Sequence, residues 1–128
     1  MSSAARVTEQ APKPEFEMNA TRFSVGSLNT TAPKVIIDST VKSDKYDVSW
    51  FHYVEETNTR QLVDTRTLVG LYEDTFNPLD YEDMITPISG GDIDGFYYAV
   101  ITNYWNDSVT ATATDENPVA IEDMFVIV

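Results

Sequence analysis

The chain holds one histidine, His52, which is the first residue to consider for acid–base or metal chemistry. A Ser-His-Asp triad would have to be built on this single imidazole, whereas a zinc site needs several His or Cys ligands. The 128-residue chain contains no cysteine, so thiolate chemistry is excluded as well. His52 lies inside the strand-like run "YDVSWFHYV" (46–54), where a histidine packed in a strand is the simpler interpretation.

Carboxylates are the other groups that could do chemistry, and several occur close together. They are Glu55-Glu56, Asp92 with Asp94, and Glu122-Asp123. General acid–base catalysis needs a carboxylate with a raised pKa in a cleft, and the sequence shows turns around these residues instead. The segment "GGDIDG" (90–95) clusters oxygens as a calcium loop does, but it lacks the ligand spacing and the distant Glu of an EF-hand. We predict no catalytic residue, no cofactor and no metal site.

The charge of the chain is strongly negative and unevenly distributed. The formal net charge is −13, and residues 1–66 hold all eight basic residues beside nine acidic ones, whereas residues 67–128 hold twelve acidic residues and no basic one. A nucleic-acid-binding protein needs a basic surface that displaces counterions from phosphates. Neither a nucleic acid nor an anionic membrane is therefore an expected partner. The first residues, "MSSAARVTEQAPKPEFE", lack the apolar stretch of a secretory signal, so we expect synthesis in a reducing cytosol.

The elements that would position these residues are short β-rich runs separated by turn residues. Residues 1 to about 14 are small and polar and contain "APKP", which indicates an extended arm. The expected strands are 16–25, 34–41, 46–54, 60–72, 84–88, 95–103, 108–114 and 119–128. Pro87 makes 84–88 an edge strand or a strand end. This spacing predicts an all-β sandwich or barrel, divided into the arm with the first strand (1–30) and the sandwich (31–128).

Two segments resemble strands of the immunoglobulin domain. "VSWFHYV" (48–54) resembles the third strand, whose Trp packs across the core. "DIDGFYYAVITN" (92–103) resembles the sixth strand, whose Tyr forms a corner by hydrogen-bonding back to the chain. The resemblance covers roughly 34 to 114. It implies an immunoglobulin-like β-sandwich in which Trp50 is the core tryptophan and Tyr97 the corner tyrosine.

The same resemblance gives the places where the disulfide would normally be. Ala99 stands at the second cysteine position, and Ile37 or Ser39 stands at the first. Loss of a native disulfide typically costs about 2–5 kcal/mol, which burial of aliphatic side chains can offset. We therefore expect a sandwich without a disulfide, with Ala99 facing Ile37 or Ser39 across the two sheets.

Strand alternation then predicts an aromatic outer face. If Trp50, Tyr97 and Ala99 point inward, their neighbours on the two adjacent strands point outward. The outward residues are Phe51, Tyr53, Phe96, Tyr98 and Val100. An exposed apolar surface of this kind marks a partner site. The alternative is that the arm or the C-terminal run "VAIEDMFVIV" (119–128) covers it.

Cysteine-free immunoglobulin-like domains of this length are similar to those in the virions of tailed bacteriophages. This resemblance implies a non-enzymatic capsid decoration protein, made in the host cytoplasm and attached through its arm to the major capsid protein or another virion protein. Self-association is a further option, and a tail, neck or fibre component of the particle is the alternative. A different class is a carbohydrate-binding or adhesin module that stacks outward aromatics, with Tyr104 and Trp105, on a host-surface glycan.

Overall fold

A computed structural model describes residues 13–40, 43, 45–103 and 118–128 of the chain. In these ranges the chain forms eight strands, one α-helix and two short 3-10 turns. The strands are β1 (Phe16–Met18), β2 (Arg22–Phe23), β3 (Lys34–Ile37), β4 (Lys45–Val54), β5 (Thr59–Val69), β6 (Glu73–Thr75), β7 (Gly95–Asn103) and β8 (Val119–Ile127). The helix is α1 (Glu82–Ser89), and the 3-10 turns are Val25–Ser27 and Pro78–Tyr81.

The strands form two sheets that enclose one core. The first sheet has the order β1-β3-β6, and the second has the order β2-β8-β7-β4-β5. Every pairing is antiparallel except that of β2 with β8. Buried side chains from both sheets form one hydrophobic cluster. The expectation of a mostly β, sandwich-like fold without a disulfide is therefore confirmed.

The first predicted strand, 16–25, is divided between the two sheets. β1 pairs with β3 in the first sheet, and β2 pairs with β8 in the second. Asn19 fixes the crossing, because its side chain donates to the Ala32 carbonyl and accepts from the Lys34 N–H, both at 2.9 Å. Phe23 is buried, so residues grouped with the arm in the sequence contribute to the core.

The prediction of a strand at 84–88 is wrong, because this segment lies in α1. Asn77 accepts a hydrogen bond from the Leu79 N–H at 3.0 Å and starts the 3-10 turn that leads into the helix. Acidic residues in the first turn favour its N-terminus, and Gly90 (φ 87°) ends it in a left-handed conformation. Ile85 anchors the helix in the core. Over only five residues, the apolar positions fit the period of a helix as well as that of a strand. The sequence alone therefore did not distinguish an α-helix from a strand at 84–88.

The C-terminal run adds a strand to the sandwich. β8 pairs along its whole length with β7, and Phe125 and Ile127 are buried between the sheets. So apolar an end is therefore shielded from water as a strand of the second sheet. β8 lies beside β7 and does not cover its outer face.

A polar network around Arg66 of β5 joins the two sheets. The guanidinium donates to Asp64 Oδ2 (3.0 Å), Asp74 Oδ1 (2.8 Å) and the Tyr81 hydroxyl (3.1 Å). Trp50 Nε1–H donates to the second Asp74 oxygen (2.8 Å), and the Tyr81 hydroxyl donates to Asp64 (2.6 Å). Burial by itself would lower the pKa of Arg66, but its hydrogen bonds and the Asp74 charge outweigh burial and raise it. The network thus links β4 and β5 to β6 of the opposite sheet.

Candidate functional site

The outer side of the five-stranded sheet carries the predicted partner-binding residues. Side chains alternate along β4 and β7, so burial of Trp50 and Tyr97 turns their neighbours outward. We call this surface the aromatic face; its residues are Phe51, Tyr53, Leu62, Phe96, Tyr98 and Met124. All four aromatic residues expected on the face are on it.

Strand register aligns four side chains of the aromatic face in one row across the sheet. Phe51 pairs with Leu62 of β5 on one side and with Tyr98 of β7 on the other, and Tyr98 pairs with Met124 of β8. The row crosses four strands, and its two ends are open, with Leu62 48% and Met124 47% exposed. Phe96 is 40% exposed, so the described residues leave a substantial part of the face uncovered.

An Arg–Glu clamp crosses the centre of the aromatic face. The Arg60 guanidinium carbon lies 3.7 Å from the centroid of the Tyr98 ring. The same guanidinium donates two hydrogen bonds to the Glu122 carboxylate, at 2.8 and 2.9 Å. The hydrogen bond from Arg60 lowers the pKa of Glu122, and the carboxylate raises that of Arg60. One side of the Tyr98 ring is therefore occupied by a cation.

Sequence reasoning missed the residues that β5 and β8 contribute to this surface. Strand β5 contributes Arg60 and Leu62, and strand β8 contributes Glu122 and Met124. These strands flank β4 and β7, from which the outward residues were predicted by alternation. The hairpin turn between β4 and β5 was a usable signal, because its four residues, 55–58, set Thr59 opposite Val54 and Arg60 opposite Tyr53. No comparable local signal places β8 beside β7, since residues 104–118 separate these strands in the sequence.

The residues predicted to form the structural core lie between the sheets. Trp50, Tyr97 and Ala99 have no exposed surface, and Ile37 is 3% exposed. Ser39, the alternative to Ile37, is exposed in a turn beyond the end of β3. Ala99 and Ile37 belong to the same buried hydrophobic cluster.

Tyr97 forms the local hydrogen bond that the resemblance implies for it. Its hydroxyl donates to the backbone carbonyl of Ile93, four residues upstream. Burial raises the pKa of the phenol, so the hydroxyl stays protonated and available as a donor. The ring also stacks on Phe125, with 5.5 Å between the ring centroids.

The groups considered first for chemistry do not assemble into a catalytic or metal centre in the described ranges. His52 is 2% exposed, and burial lowers its pKa. No three His, Asp or Glu side chains among the described residues are close enough to hold a metal ion. The aromatic face offers a partner apolar contact and the two charges of the Arg60–Glu122 clamp.

Several predicted features lie outside the described residues. They are residues 1–12 of the predicted arm, the aromatic pair Tyr104 and Trp105, and the run 108–114. Within the described ranges, no helix is long and apolar enough to cross a membrane. A scan against protein-family models, a search of curated proteins and a search of solved structures each found no match to this chain.

Proposed function

We propose that the sandwich is immunoglobulin-like. Three observations support this assignment: the order of the five-stranded sheet, the buried Trp50 on β4, and the hydrogen bond from Tyr97 to the chain just before its strand. In the assignment, β4 is the third strand and β7 the sixth, and β3 with Ile37 takes the place of the second. The Trp50 bond to Asp74 and the Arg66 network supply links between the sheets where a disulfide would otherwise act.

We further propose that the chain is a non-enzymatic binding module whose aromatic face contacts another protein. The observation that carries this proposal is the continuous row Leu62–Phe51–Tyr98–Met124. Apolar and aromatic side chains that line up across four strands are unusual on a surface that faces only water, and such centres dominate protein interfaces. Arg60, held by Glu122, supplies a fixed charge inside the apolar surface, which would orient a partner.

From the resemblance to virion domains, the partner is a subunit of a phage particle, and the chain is a capsid decoration protein. The arm (1 to about 14) is its second attachment element, and the aromatic face is the first. A tail, neck or fibre location would use the same two elements. A protein partner is favoured over a glycan because Arg60 already occupies one side of the Tyr98 ring, the central aromatic group on which a sugar would stack.

The test is incorporation of tagged variants into virions purified on a density gradient. Leu62→Glu and Met124→Glu place a carboxylate in the aromatic face, whereas Leu71→Glu, at a residue 60% exposed and off the sheet, adds the same charge elsewhere. We expect incorporation to fall at least tenfold for the two face variants and to stay unchanged for Leu71→Glu.

Removal of residues 1–15 measures the contribution of the arm in the same assay. Loss of binding only on this deletion, with both face variants incorporated normally, would assign attachment to the arm and refute the role of the aromatic face. Absence of the unmodified chain from the particles would refute the virion assignment.

A further inference from the structure

One edge of the five-stranded sheet is only partly covered. β2 pairs with β8 only at Val126 and Ile127. The preceding part of β8, residues 119–124, pairs with β7 on one side, whereas no strand of the described residues lies on its other side. We call residues 119–124 the open edge. An open strand edge presents unpaired N–H and C=O groups and is a template for pairing with a further strand.

The hydrogen bonds to β2 show which backbone groups of the open edge are free. The Val126 N–H donates at 2.9 Å to a carbonyl of the residue before β2, so the even-numbered residues of β8 direct their N–H groups away from β7. The Asp123 carboxylate accepts from the Met124 N–H at 2.9 Å. The N–H groups of Ala120 and Glu122 have no hydrogen-bond partner among the described residues. Two backbone donors are therefore available to an added strand.

A groove of about 660 Å³ lies beside the open edge. One wall is formed by Phe16 of β1 and the residues before it, and the other by Ile121 and Glu122 of β8. The two walls thus belong to different sheets. Phe16 and Ile121 are half-buried and pack against the hydrophobic core. The sandwich is therefore open between its sheets at this place, with an apolar side chain on each wall.

The charges at the open edge favour a basic partner over an acidic one. Glu122 and Asp123 belong to this edge, and Asp123 forms no ion pair with the described residues. Residues 67–128 contain no basic residue, so a second copy of this half would be repelled. Residues 1–14 carry two basic residues and one acidic residue, a net charge of +1. The arm is therefore the segment of this chain whose charge suits the open edge.

The path of the chain shows which copy supplies the arm. Phe16 lies across the groove from Ile121, and further along the chain Phe23 pairs with Ile127 in parallel. The segment that starts at Lys13 therefore follows the direction of β8, and residues before Lys13 continue past the start of β8. An arm would have to reverse its direction to lie in the groove of its own copy.

Sequence chemistry opposes such a reversal next to the groove. Pro12 and Pro14 restrict the residues before them to extended conformations. The twelve residues before Lys13 can span up to about 40 Å, which is twice the length of about 20 Å of the open edge. An arm that continues straight is thus long enough to reach and follow the open edge of a neighbouring molecule.

We propose that residues 1–12 of a second copy of this chain occupy the groove and pair with the open edge as an added strand. A two-fold axis perpendicular to the strands makes the exchange reciprocal, and each arm is then antiparallel to the β8 strand that it meets. The small residues of "SSAA" (2–5) suit a groove between two backbones.

This inference goes beyond the proposed function, because it needs neither a particle nor any partner except this chain. On a particle, it makes the arm a link between neighbouring copies while the aromatic face contacts the capsid. The two proposals fail separately, since arm exchange is measured on the purified full chain alone.

The first experiment uses the absence of cysteine, which allows a spin label at one chosen position. Val7→Cys, spin-labelled in a chain without isotopes, is mixed with the unmodified ¹⁵N-labelled chain. We expect the amide signals of Ala120, Ile121 and Glu122 to lose at least half of their intensity. The same label at Thr57→Cys, in the β4–β5 turn at the other end of the sheet, should leave these signals unchanged.

A second labelling scheme separates exchange between copies from binding within one copy. Here the ¹⁵N chain itself carries the Val7→Cys label and is diluted into an excess of unlabelled chain. Loss of signal at the open edge only in this second scheme would place the arm in its own groove and overturn the exchange. Loss in neither scheme would overturn the arm as the occupant.

The open edge is tested by proline, which removes one edge N–H. Ala120→Pro removes a donor of the added strand and none of the β7–β8 ladder, whereas Ala120→Thr keeps the N–H. We expect self-association, measured by sedimentation velocity, to weaken at least tenfold with Ala120→Pro and to stay unchanged with Ala120→Thr. A normal urea midpoint checks the fold of both variants.

The arm is tested in the same way, outside the described residues. Val7→Pro with Thr8→Pro removes two successive N–H groups, one of which faces the open edge in either register, and should weaken self-association at least tenfold. Self-association that survives this pair, or that survives Ala120→Pro in a folded chain, would overturn the proposal. Its loss in Leu62→Glu instead would place the contact between copies on the aromatic face.

Discussion

Replacement of Arg66 by Met should destabilise the fold far more than the same replacement of Arg60. The two side chains are almost equally exposed, 36% and 39%, and each forms charged hydrogen bonds with a carboxylate. Their partners differ, because the Asp74 side chain is 7% exposed and that of Glu122 is 47% exposed. The comparison therefore contrasts an arginine inside a network with a buried carboxylate and an arginine in an exposed ion pair.

The magnitude follows from what each substitution leaves behind. Without Arg66, Asp74 keeps only the Trp50 N–H as a described partner, and the Thr75 carbonyl also loses its 2.8 Å bond to Arg66. Removal of one member of a buried pair costs about 3–5 kcal/mol, and partial exposure of Arg66 reduces this to about 2–4 kcal/mol. Exposed pairs contribute about 0–1 kcal/mol, which is the cost expected for Arg60→Met.

The assay is urea unfolding at pH 7, followed by tryptophan fluorescence, to which Trp50 contributes; Trp50 stacks on Phe76 in the core with 4.8 Å between ring centroids. With a slope of about 2 kcal/mol per M, Arg66→Met should lower the midpoint by about 1–2 M. Addition of Asp74→Asn to Arg66→Met should cost little more, since it removes the uncompensated charge. Equal midpoints for the Arg66 and Arg60 variants would refute the reasoning.

Two other expectations concern buried polar groups. His52 is the only histidine, and burial lowers its pKa, so the unfolded chain binds the proton more readily and stability should fall as the pH drops below about 6.5. Urea midpoints between pH 7.5 and 5.5 measure this loss, and an equally steep loss in His52→Gln would contradict it. Tyr97→Phe leaves the Ile93 carbonyl without its donor and should cost about 1–3 kcal/mol in thermal unfolding. Tyr53→Phe, which removes an exposed bond to Asn58, is the control and should cost clearly less.

The sequence by itself determined the faces of the long strands. Side chains in an extended chain alternate between two sides, so the pattern around Trp50 and Tyr97 was sufficient to put Phe51, Tyr53 and Tyr98 on the opposite face from the core. Which of the two sides is buried came from the resemblance to immunoglobulin strands, which implies that Trp50, Tyr97 and Ala99 point inward.

Only the tertiary structure decided which side chains meet. The helix at Glu82–Ser89 depends on a preceding 3-10 turn and a core site for Ile85, neither of which is encoded in the five residues taken for a strand. Arg60 of β5 and Glu122 of β8 are 62 positions apart in the chain. They meet because the sheet order β5-β4-β7-β8 puts both on one face, where Arg60 extends across Tyr98 of β7. The physical reason is that alternation is a property of each strand alone, whereas register, sheet order and charge pairing depend on contacts between segments distant in the chain.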